Sequence, residues 1–185
     1  MLAATRHRLS VPDFYRMGEA GILREDQRVE LIEGELNDMM PIGEFHASVV
    51  DDLTDLFGVQ NHARHYIRVQ NPLFLEEHSM VQPDVVLVRR AENRSRKVAP
   101  GPENTFLVIE VADSSLDYDH HKKLPLYARA GIEEVWIVNV PARQIEVYRE
   151  PNYLNYSATT ILQPGRAASP AAFPDISIAV GELFA

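Results

Sequence analysis

Apolar residues at Val49, Val50, Leu53, Leu56 and Phe57 recur at the spacing of one helix face, which predicts an amphipathic helix over 45–58 with Gly58 as its stop. Upstream the period is two. Arg28-Val29-Glu30-Leu31-Ile32 and Glu35-Leu36 flank Glu33-Gly34, the pattern of a β-hairpin. A shorter helix is expected over 11–19, where Ser10 offers an N-cap, Leu9 a hydrophobic staple and Pro12 a first-turn proline. Strands are predicted at 65–70, 83–88 and 105–112. The last, Thr105-Phe106-Leu107-Val108-Ile109-Glu110-Val111, is almost wholly apolar and so belongs in the middle of a sheet covered on both faces. Residues 115–130 read as a helix with Gly131 at its C′ position, although Pro125 demands a kink or a late start. Two more strands, 135–140 and 144–148, turn around Pro141. The tail, rich in Pro and Ala, carries Phe173, Ile176, Ile178, Leu183 and Phe184 as anchors for packing back on the core. This order predicts a single α/β domain over 1–185, a mixed central β-sheet flanked by helices. An N-terminal helix and hairpin would occupy 10–40, the core 41–150 and a closing segment 151–185.

Composition narrows the function only partly. Apolar residues make up 45% of the 185 positions and charged residues 24%, the balance of a folded globular domain. The absence of cysteine excludes disulfides, thiolate nucleophiles, iron–sulfur clusters and zinc ribbons. No apolar run approaches the roughly 18 residues of a membrane span, and the start lacks the apolar centre of a signal peptide, so a cytoplasmic protein is expected. A net charge of −9 argues against coating nucleic acid through a basic surface. It leaves room for an enzyme that holds cations with carboxylates.

Two acids interrupt the apolar pattern. Asp84 follows Pro83 and opens the run Val85-Val86-Leu87-Val88, and Glu110 sits near the end of the neighbouring apolar strand. An ionised carboxylate in a buried strand is costly unless it is paired, hydrogen-bonded or bound to a metal. Two on adjacent strands need a positive charge between them. Mg²⁺ or Mn²⁺ suits that place, being a hard cation with oxygen ligands, and a water it retains is a candidate nucleophile. Taken singly, each acid also has a plain structural reading: Asp84 as a turn cap, Glu110 as the partner of a nearby Arg or Lys. Lys123 lies 13 residues after Glu110, in the first turns of the next helix. From there it can lean over the strand end to position or help deprotonate the water, or to stabilise charge on a scissile phosphate. A solvated helix lysine is the alternative. Lys122 faces elsewhere, whereas Lys123 shares a face with Tyr127.

Pro83-Asp84, Val108-Ile109-Glu110-Val111, Asp119, Lys123, Tyr127-Ala128-Arg129-Ala130-Gly131-Ile132 and Glu134-Val135-Trp136-Ile137-Val138 together resemble the bacterial Uma-type family. That family is grouped with endonucleases of the PD-(D/E)XK, restriction-endonuclease-like superfamily. Glu30-Leu31-Ile32-Glu33-Gly34-Glu35-Leu36 is similar to the family's early hairpin and His46 to its early helix. Phe173-Pro174-Asp175-Ile176 through Leu183-Phe184 is similar to its closing segment, so the resemblance covers nearly the whole chain. It implies a restriction-endonuclease-like fold and a metal-dependent nuclease acting on nucleic acid, with DNA the expected substrate. It also implies Asp84, Glu110 and Lys123 as the catalytic set, with Asp84 and Glu110 binding Mg²⁺ or Mn²⁺. The parent motif places its lysine two residues after the second acid, where this chain has Ala112; the family relocates it to the following helix, and Lys123 fits. Asn139 stands where Asp is frequent. A further acid from the early helix often completes such sites. Glu44 is the preferred candidate and His46 the other, with Glu33 and Glu35 on the hairpin behind them; His46 could instead be a core histidine.

Asp119-His120-His121 spells the signature of a manganese phosphoesterase family, but that family's other metal-binding segments are missing and adjacent helical histidines point apart. Asp119 reads more simply as a first-turn helix acid. The run Arg89–Lys97 holds five basic residues against one acidic. It follows the Asp84 strand and is therefore expected near the site, where Arg89, Arg90 and Arg94 could contact phosphates; a charged surface loop is the alternative. A noncatalytic nucleic-acid-binding or assembly module on the same fold is the rival to the nuclease. Low net basicity favours the module, and the intact Asp84, Glu110 and Lys123 set favours the enzyme. A homodimer is expected with the enzyme, because two-fold symmetry suits the cutting of two strands.

Overall fold

The computed structural model describes residues 6–24, 26–60, 64–90 and 99–185. Helix α1 (Val11–Glu19) opens with a capping box: Ser10 Oγ accepts from the Asp13 amide while the Asp13 side chain accepts from the Ser10 amide. Strands β1 (Val29–Ile32) and β2 (Glu35–Asp38) form the expected hairpin. Its turn residues Glu33 and Gly34 have φ of 52° and 83°, the left-handed pair of a type I′ turn. A Cβ on Gly34 would lie 2.5 Å from Cβ of Arg8 and 2.9 Å from its Cα. Gly34→Ala is therefore expected to lower stability by roughly 1–3 kcal/mol, read as a fall in the thermal midpoint. An unchanged midpoint would mean that the Arg8 segment retreats at no cost.

Helix α2 (Glu44–Gln60) runs past Gly58, because burial of Val49, Val50, Leu53 and Phe57 outweighs one poor helix former. After β3 (His65–Val69) comes a second hairpin, β4 (Leu73–Glu76) and β5 (Ser79–Val81). Strands of four and three residues are too short to display a period, so this hairpin is invisible in the pattern. Strand β5 also pairs with β1, giving a four-stranded sheet in the order β2-β1-β5-β4.

The larger sheet adds β6 (Val85–Arg89), β7 (Thr105–Ala112), β8 (Glu134–Asn139), β9 (Gln144–Asn152) and β10 (Asn155–Leu162). Its order is β10-β9-β8-β7-β6-β3. Only β7 and β8 run parallel; the other neighbours are antiparallel, so the sheet is mixed as expected. Strand β10 is an edge strand of mostly exposed polar residues, which hid it from the apolar pattern.

Between β7 and β8 the expected single helix is interrupted. Helix α3 (Leu116–Tyr118) leads into a π-turn, Asp119–Lys123, and then α4 (Leu124–Ala130), which Gly131 ends at φ 82°. The Leu124 amide bonds the Asp119 carbonyl, five residues back. Pro125 is the physical reason. It has no amide for the His121 carbonyl and its ring would strike that carbonyl, and a widened turn just ahead of it makes room.

Helix α2 and the closing segment cover one face of the larger sheet, with Phe173, Ile176, Leu183 and Phe184 against Leu107, Ile109 and Trp136. In that segment β11 (Ala167–Ala168) pairs with β12 (Ile178–Ala179). Helix α4 and the smaller sheet cover the other face, where Ile32, Leu124 and Tyr127 meet Val86, Val108 and Ile137. Among the described residues no helix is long and apolar enough to cross a membrane.

Candidate active site

Val85 lies opposite Ile109 in the antiparallel β6–β7 pair, and the same register sets Asp84 against Glu110. Asp84 Oδ2 accepts the Val111 amide at 2.9 Å, which fastens the carboxylate to β7. Alternation puts Glu110 on the face of Val108 and Ala112, beneath α4. The π-turn delivers Lys123 to it: Nζ is 3.1 Å from Glu110 Oε1 and 3.2 Å from Glu30 Oε1. One turn further on, the Tyr127 hydroxyl also donates to Glu110 Oε1. Asp84, Glu110 and Lys123 are all buried.

Two further acids belong to this cluster. Glu30, on β1, is 2% exposed and accepts the Gln82 amide at 2.7 Å. Its signal in the sequence was the one that marked Glu110, an acid inside Val29-Glu30-Leu31-Ile32. Asp119 stands in the first turn as read, but it is buried and bonded by Ser115 Oγ at 2.6 Å. Its spacing of four from Lys123 already placed both on one helix face. His46 also joins, with Nε2 2.9 Å from Asp84 Oδ1, while Gln70 Nε2 lies 3.3 Å from the same oxygen.

The other candidates lie elsewhere. Glu44 is exposed in the first turn of α2, and it is His46 that meets Asp84. Glu33 pairs with Arg129 at 2.8 Å and Glu35 with Arg6 at 3.2 Å, both on the surface because the I′ turn carries them away from the sheet interior. Lys122 is exposed. Arg89 closes the strand that Asp84 precedes, which puts it roughly 16 Å away along the chain. For Arg89 and Arg90 the expected nearness to Asp84 is not what the strand geometry gives, since β6 separates them from it. The guanidinium groups of Arg89 and Arg90 stack 4.5 Å from the Phe106 ring centre and 4.1 Å from that of Tyr66. Arg94 falls outside the described residues.

Electrostatically the cluster is overloaded with acid. Burial pushes the Glu110 carboxyl up to about 8 against the pull of Lys123, and Asp119, Asp84 and Glu30 add like charge. Burial raises the Asp119 carboxyl as well. Burial alone would also raise Asp84, but His46, the Val111 amide and Lys123 together hold it below the ordinary carboxylate range. The bond that its ring makes to the Asp84 carboxylate raises the His46 imidazole. Burial would lower the Lys123 ammonium, yet Glu110, Glu30, Asp119 and Asp84 outweigh it and keep Lys123 firmly protonated.

The family profile described as "Uma2: Putative restriction endonuclease" matches residues 11–181. The chain belongs to the Uma2 family. A solved structure titled as that of "a putative nuclease belonging to DUF820 from Anabaena variabilis ATCC 29413" is similar, with a TM-score of 0.72 over 95% of this chain and 97% of that one, at 16% identity. At that identity the likeness concerns the fold, and the restriction-endonuclease-like architecture expected from the sequence is the one found. No curated protein matches the chain.

The Uma2 match spans every residue of the buried cluster. Among the described residues no three His, Asp or Glu side chains already converge as a ready ligand set. Mg²⁺ needs less, since it takes one or two carboxylates and keeps several waters. Asp84 and Glu110 are donors of the right kind, and the surplus of buried acid around a single lysine is the charge a divalent cation would offset. The residues present fit such an ion.

Proposed function

We propose that this Uma2 chain is a divalent-cation-dependent endonuclease that hydrolyses phosphodiester bonds in DNA. Asp84 and Glu110 hold Mg²⁺ or Mn²⁺, and Lys123 assists. The observation that carries the reading is Glu110, an acid buried in a central strand, met there by a lysine from the π-turn that follows. Family membership supports nuclease chemistry in general. A bound cation supplies a more acidic water and offsets charge on the phosphate. Held by Glu110 and Glu30, Lys123 stabilises negative charge on the scissile phosphate or helps position the attacking water. His46 and the Val111 amide hold the Asp84 carboxylate in one orientation.

The test is cleavage of supercoiled plasmid by the wild type with Mg²⁺, Mn²⁺ or chelator, alongside thermal melting in the same buffers. Cleavage that needs the cation, with a melting midpoint raised by it, is the expected result. No cleavage together with no cation-dependent stabilisation would instead establish a noncatalytic module. A homodimer would supply one site per strand, and its signature is linear rather than nicked product at early times.

A further inference from the structure

In the sheet, Glu110 on β7 lies beside Ile137 on β8, and Ile137 beside Glu146 on β9. Residues directly across a sheet share a face, so the two acids form one row about 10 Å apart. The π-turn spans this row and touches both ends. Lys123 reaches Glu110, and His120, three residues earlier, places Nε2 2.7 Å from Glu146 Oε2. Glu146 is buried. Its Oε1 accepts Asn139 Nδ2 at 2.9 Å and Gln144 Nε2 at 3.0 Å, and its Oε2 accepts the Tyr148 hydroxyl at 2.7 Å. Burial alone would raise this carboxyl, but the Asn139, Tyr148, Gln144 and His120 contacts hold it below the usual range. Glu146 is thus a preformed anionic anchor, and the nuclease mechanism uses none of these groups.

We infer that His120 is a positioning residue. Its bond to Glu146 clamps the π-turn to the sheet on the side away from Glu110 and thereby sets where Lys123 and Asp119 sit. A π-turn is an uncommon geometry with a widened ladder, and here Pro125 removes the amide that would reinforce it. The turn therefore depends on contacts outside itself, and His120 reaches across to β9, where its Nε2 meets Glu146 Oε2 and, at 3.3 Å, the Tyr148 hydroxyl. The catalytic consequence rests on the nuclease reading; the clamp itself does not.

The experiment compares wild type with His120→Ala, His120→Asn and His120→Gln. It reads amide hydrogen exchange at Leu124, whose N–H closes the π-turn, and steady-state plasmid cleavage. A glutamine amide nitrogen reaches the place of Nε2, whereas asparagine falls short of it. Expected are faster exchange at Leu124 and a fall in kcat on the order of tenfold, with KM unchanged, in the Ala and Asn variants. His120→Gln should restore both, and exchange at Ile137 should stay unaltered throughout. Unaltered exchange at Leu124 in His120→Ala overturns the clamp, as does a Gln variant no better than Ala. If the wild type neither cleaves nor is stabilised by the cation, the nuclease reading fails, and exchange at Leu124 with its recovery by Gln still decides the clamp.

Discussion

Lys123→Met is expected to cost about 3–5 kcal/mol of stability and to abolish plasmid cleavage. The side chain is 7% exposed, and its ammonium lies between Glu110 and Glu30, with Asp119 and Asp84 also in its field. Methionine keeps most of the volume, so the loss isolates the charge. Removing it strands several buried acids that no longer have a counterion, and each must take up a proton or remain costly. Urea unfolding in chelator measures the first effect and the nicking assay the second. The double variant Lys123→Met/Glu110→Gln should recover part of the stability, because one stranded acid is gone, and none of the cleavage. A Lys123→Met protein as stable as wild type would show that the acids are already neutral without the lysine.

Glu110→Gln should have the opposite effect on stability and the same effect on activity. In the folded protein the Glu110 carboxyl titrates at about 8, above the ordinary 4.5. Between those values the unfolded chain has released a proton that the folded chain still holds. Wild-type stability therefore falls as pH rises through that window, by up to about 1.4 kcal/mol per unit, and levels off above it. Glutamine does not ionise, so the variant gains on wild type from pH 5 to pH 8. Asp84 and Glu146, whose carboxyls are held low, act below this range and are common to both proteins, so they cancel in the difference. Unfolding free energies at pH 5, 7 and 8.5 in chelator check it. A variant less stable at every pH would mean that Glu110 is ionised and that its pairing with Lys123 repays the burial. Added Mg²⁺ should stabilise wild type and leave the variant unmoved.

The acids at 84 and 110 were legible in the sequence because a carboxylate inside an apolar strand is anomalous in any fold. Lys123 was legible from helix spacing against Tyr127. Glu30 carried the same anomaly, but in a strand of four residues among other charges, where a solvated hairpin is an equally good reading. Its burial follows from the smaller sheet folding down beside α4, which no local pattern encodes. The burial of Asp119 was hidden for a related reason: Pro125 was visible as a disturbance, whereas the π-turn that absorbs it depends on what the turn rests against.

The two arginines that open the basic run, Arg89 and Arg90, show the reverse. Arg89 is close to Asp84 in sequence and far from it in space, since an extended chain advances about 3.3 Å per residue. His46 is 38 residues from Asp84 and in contact with it. Spacing and polarity along the chain thus suffice to tell which segments bury a face, where the central strand lies and which residues are too polar for their surroundings. Which of those charges share one cluster emerges from the folded arrangement alone. Apolar periodicity is a local property of the chain, while the meeting of Glu30, Asp84, Glu110 and Lys123 depends on sheet register and on how two sheets and a turn stack.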